Sequence, residues 1–78
     1  MAHVRITGCH PGLDKIKMTQ AIRASSAGLG LAAAKECTDS VLIGETAIIE
    51  MPTVLEAQEL AKELVSLGAI AEVVRTSV

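Results

Sequence analysis

Val4-Arg5-Ile6-Thr7 sets apolar and polar side chains in alternation, the two-residue period of a half-buried strand. Gly8 to Gly12, with Pro11, reads as a loop. From Asp14 the period changes. Met18, Ala21, Ile22 and Ser25 recur at i, i+3, i+4 and i+7, the inner stripe of a helix over Lys15 to about Ser25 with Asp14 as its N-cap. Leu31, Ala34 and Cys37 repeat at three-residue spacing and predict a short second helix ending near Thr38. Asp39 to Glu45, with Gly44, is expected to connect it to a second strand over Thr46 to Met51, which Pro52 stops. Thr53 and Glu56 make a capping box. The helix it opens carries Ala57, Leu60, Ala61, Leu64 and Leu67 on one face, and Gly68 follows at the C′ position. Ala69 to Arg75 reads as a last strand, with Ile70, Val73 and Val74 as its apolar members.

The resulting order, β-α-α-β-α-β, predicts an α/β chain of the α+β sandwich kind. Residues 1–78 form a single domain: a three-stranded sheet with three helices on one face. The far face of the sheet stays open. In a chain that is half apolar, that face is expected to carry aliphatic residues and to favour self-association.

Between the first two helices runs Ala27-Gly28-Leu29-Gly30-Leu31-Ala32-Ala33-Ala34-Lys35. It lacks the third glycine and the leading strand of a phosphate-binding loop. The run reads instead as a corner between helices, where Gly28 takes positive φ and ends the first helix. Gly30 is expected to let two backbones approach closely. The helical hairpin so formed is a candidate surface for another macromolecule.

Composition narrows the function. The 78 residues include no Phe, Tyr or Trp, which removes the usual means of stacking bases or sugars. A chain this short buries only about 60–65% of its unfolded surface, so the core is thin. The net charge of −2 is no nucleic-acid signature, but it is unevenly spread. Residues 1–35 carry five cations against Asp14 alone, or +4, and residues 36–78 carry two cations against eight acids, or −6. Such a split suggests a basic face for an acidic partner. Cys9 and Cys37 are too few and too far apart for a disulfide framework, so reduced thiols and a cytoplasmic setting are expected. Neither a signal peptide nor a membrane-spanning stretch is expected.

Few residues suggest catalysis. Cys9 and His10, with His3 nearby, fall short of the ligand pairs of a zinc site, and adjacent residues point apart, which defeats a Cys–His nucleophile. Ser25-Ser26 lacks a base at useful spacing. Glu56, Glu59 and Glu63, with Lys62, form a solvated helix face. Neither an enzyme nor a cofactor or metal is expected. The remaining constellation is basic: Lys15, Lys17 and Arg23 on the first helix and Lys35 on the second, neighbours around the corner.

Lys15-Ile16, Ala21-Ile22-Arg23, Gly28-Leu29-Gly30-Leu31, Ala34-Lys35, and Leu67-Gly68-Ala69 with Glu72-Val73 together resemble the C-terminal domain of the bacterial large-subunit ribosomal stalk protein. The resemblance runs from about Val4 to Val74. It implies a cytoplasmic protein-binding domain whose helical hairpin recruits translational GTPases, with Lys15, Arg23, Gly28, Leu29, Gly30, Leu31 and Lys35 as partner-binding residues. It implies no direct contact with nucleic acid or membrane. Gln20 and Ala32 stand where the family usually has lysine, which weakens the basic patch. The corner is one residue longer, and Glu36 to Met51 is longer and more apolar. The family's full-length proteins precede this domain with a dimerising helical domain and a hinge. A chain that begins at the first strand is an excised domain or, as its departures favour, a stand-alone relative of drifted function; a self-assembling stand-alone domain, forming a homo-oligomer, is one alternative. The Clp-protease adaptor shares the general fold and supplies the other.

Overall fold

The computed structural model describes residues 2–25 and 27–75. Along them run β1 (Ala2–Cys9), α1 (Lys15–Ala24), α2 (Leu31–Leu42), β2 (Ala47–Met51), α3 (Val54–Ser66) and β3 (Ala69–Arg75), the expected order of an α+β fold. The strands make one antiparallel sheet with β1 in the middle, in the order β2-β1-β3. Val4 lies between Ile49 and Val73, and Ile6 between Ala47 and Ala71, so the inward residues stack in rows across the sheet. Onto this face pack α2, against β1 and β2, and α3, against all three strands. α1 takes its backbone neighbours from α2 and α3 and stands clear of the strands. Its Met18 and Ile22 are nevertheless fully buried in the common core, each contributing about 1.5–3 kcal/mol of burial. Among the described residues no helix is long and apolar enough to cross a membrane.

The helix starts follow the sequence closely. Asp14 accepts a hydrogen bond from the Lys17 amide at 3.0 Å, and Thr53 accepts one from Glu56 at 3.1 Å. The β1–α1 loop is tied to the α3–β3 turn where the His10 amide donates to the Gly68 carbonyl at 2.7 Å and the Asp14 amide to Leu67 at 3.3 Å.

Several expectations change. β1 continues through Gly8 and Cys9, because a bulge between Ile6 and Gly8 shifts the register against β3 and breaks the alternation without ending the strand. The loop therefore starts at His10. α2 does not stop near Thr38 but runs to Leu42, and its buried stripe is Ala34, Thr38 and Val41, with Cys37 half-buried and Leu31 exposed. Gly44, at φ +87°, is the C′ glycine of this helix, with the Glu45 amide donating to Ser40 at 2.9 Å.

The corner differs too. Gly28 takes φ +73° as expected, but α1 has already ended. Ser25 turns extended and its hydroxyl donates to the Ile22 carbonyl at 2.6 Å. Ser26 lies outside the described residues. Gly30 is the N-cap of α2, and a Cβ there meets nothing within 4 Å, so no close backbone approach requires it. On β3, Ala69, Ala71 and Val73 point inward, leaving Ile70 on the far face of the sheet. That face is mixed rather than aliphatic. Ile48 and Ile70 are exposed, but the Arg5–Glu72 ion pair lies across its middle.

Candidate functional site: a groove between the first two helices

Each of the first two helices carries a second stripe beside its buried one. On α1 it is Lys15, Ile16, Thr19, Gln20 and Arg23; on α2 it is Leu31, Lys35, Thr38, Asp39 and Leu42. Helical spacing of three and four residues puts each set on one face, and the packing of α1 on α2 turns the two faces toward a common groove of about 470 Å³. Where the hairpin closes, Thr19 Oγ1 and Thr38 Oγ1 lie 2.8 Å apart. Thr19 also reaches the Lys15 carbonyl at 3.0 Å, and buried Thr38 the Ala34 carbonyl at 3.2 Å. One hydroxyl donates to the other, and the other donates back into its own helix. This pins the spacing of the two helices and leaves neither threonine hydroxyl unpaired.

Apolar side chains stand open in the groove: Ile16 is 66% exposed and Leu31 55% exposed. Leu42 joins them at the other end of α2. Around them are Lys15, Arg23 and Lys35, and among the described residues none of the three is held in a salt bridge. Arg23 occupies the last turn of α1, where the helix dipole favours a cation. Asp39 is the one acid in the lining. The arrangement offers apolar area and positive charge to an occupant. It presents no nucleophile beside a base.

The structure therefore gathers Lys15, Arg23, Leu31 and Lys35 and separates the other members of the expected site. Gly28 and Gly30 are exposed in the connection, and Leu29 packs half-buried against the core. Their part is to deliver Leu31 to the start of α2. Lys17 belongs to the opposite flank of α1, in a shallow depression with Glu63 of α3, and leaves the basic set. Ile16, Thr19, Thr38, Asp39 and Leu42 were not among the expected site residues, and Gln20 was read only as a missing lysine of the patch. The signal was present in the second stripes at positions 16, 19, 20, 23 and 31, 35, 38, 42. For α2 it was hidden by ending the helix early.

The thiols and imidazoles do not assemble. Because of the bulge Cys9 packs inward against the core while His10 is exposed. His3 lies at the other end of β1, opposite Glu50 and Val74. Among the described residues no three His, Cys, Asp or Glu side chains are grouped to hold a metal ion. Burial, and secondarily the charge of Glu36, pushes the Cys37 thiol up from its ordinary pKa, which keeps it protonated and unreactive at neutral pH. No protein-family model matches the chain, and no characterised protein is significantly similar to it.

Proposed function

We propose that the chain is a non-enzymatic binding module that docks a protein partner in the α1–α2 groove. The carrying observation is the combination in one preformed groove of Lys15, Arg23 and Lys35, held in no salt bridge among the described residues, with exposed Ile16, Leu31 and Leu42. Apolar side chains held open to water lose that exposure when a partner covers them, which supplies affinity. The cations act earlier, raising the encounter rate with an acidic surface and rejecting basic ones. Since the Thr19–Thr38 contact fixes the helices, little ordering cost attaches to the groove itself. The resemblance to the ribosomal stalk C-terminal domain makes a cytoplasmic translational GTPase the partner class, contacted by protein alone.

The test is a pull-down from cytosolic lysate with the tagged chain beside an Arg23→Glu/Lys35→Glu variant. Both positions are exposed, so the two proteins should melt alike. Elongation-type GTPases are expected with the wild type only. Equal capture by the variant, or the absence of any translation factor, contradicts the reading.

A further inference from the structure

We propose that two copies of this chain pair through their helical side, each setting the acidic stripe of α3 against the basic groove of the other. α1 separates two clefts of opposite charge. On its α2 flank are Lys15, Arg23 and Lys35 with the single acid Asp39. On its α3 flank, Glu56, Glu59 and Glu63 line a cleft of about 230 Å³ against Ala21 and Ala24. Lys62, exposed beside them, is the one cation on that stretch of helix. Lys17 of α1 also borders this flank, next to Glu63. Three cations with one acid thus face three acids with two cations, a net positive cleft against a net negative one.

The acidic stripe is built to be met. Positions 56, 59 and 63 fall on one helix face, and Glu59 and Glu63 repel each other mildly when nothing covers them. Leu55, 64% exposed in the first turn of α3, supplies an aliphatic side chain for the apolar part of the groove. A twofold axis along α1 sets each flank against the opposite flank of the second copy, so both contacts close in one dimer. The open sheet face does not compete, since Arg5 and its partner Glu72 separate Ile48 from Ile70. The pairing uses the groove assigned above to a partner, and the two occupants exclude each other.

Sedimentation velocity of the purified chain, from micromolar to millimolar concentration, tests the pairing. The wild type is expected in a monomer–dimer equilibrium that weakens as salt is raised. Glu59→Lys/Glu63→Lys and Arg23→Glu/Lys35→Glu should each weaken self-association by more than about tenfold, because like charges then meet. Mixed in equal amounts they should form dimers again, the reversed α3 of one meeting the reversed groove of the other. Circular dichroism melts establish that both are folded, and Glu59→Gln/Glu63→Gln and Arg23→Gln/Lys35→Gln serve if either is not. A wild type that stays monomeric at millimolar concentration, or a mixture that stays monomeric, overturns the pairing. Glu59→Lys/Glu63→Lys leaves the groove intact, so in the lysate pull-down it reports on the proposed partner alone. Partner capture by a strictly monomeric chain overturns the pairing and leaves the groove's function standing; a charge-dependent dimer that captures nothing does the reverse.

Discussion

Gly68 carries two constraints at once. Its φ of +108° lies where L side chains are strained, and a Cβ would stand 3.2 Å from Leu13 Cα, a main-chain atom that cannot swing aside. Gly68→Ala is therefore expected to cost about 2–3 kcal/mol, lowering Tm by roughly 10–20 °C. Gly28 has a similar φ of +73° but open space around it, so Gly28→Ala should cost only about 1 kcal/mol. Thermal melts of the two variants read the difference, and equal losses would mean that the contact with Leu13 is immaterial. The positive φ of both glycines was legible in the sequence, because each follows a helical stripe. The contact of Gly68 with Leu13 was not, since it joins two loops distant in the chain. The same limit applied at Cys9: a bulge is a one-residue event that alternation cannot announce.

Helices α1 and α3 were legible as elements because a side-chain cap marks each start and an unbroken apolar stripe follows. α2 was read short because Thr38, Asp39 and Ser40 are poor helix formers in isolation. Tertiary packing overrides that preference, since Val41 is 1% exposed and continues the stripe begun by Ala34 and Thr38. The extra turn matters to function because it brings Asp39 and Leu42 into the groove. The two faces of this turn should separate on mutation. Val41→Ala, emptying a core position, is expected to cost about 2–3 kcal/mol. Leu42→Ala, in the groove, should change stability by less than about 0.5 kcal/mol while weakening partner capture. Chemical denaturation and the pull-down together check this. A large stability loss at Leu42 would place it in the core.

In the whole molecule, α1 is the pivot. It rests on α2 and α3 rather than on the strands, so it stands between two clefts, one basic and one acidic. The sequence announced the imbalance between its halves but not this arrangement. Lys17 and Lys15 are two residues apart and lie on different flanks, a distinction that only the packing of the helices draws. The sheet, with its ion pair across the outer face, is the scaffold that holds the hairpin. The most direct measurement places a photo-crosslinking residue at Gln20, in the groove, or at Glu50, on the outer face of the sheet. Both positions are exposed, so neither substitution disturbs the core. Irradiation in lysate, and of the purified chain at high concentration, is expected to give crosslinked species from position 20 and none from position 50. Crosslinks that form from position 50 while position 20 stays silent would contradict the account, and would make the sheet the binding surface.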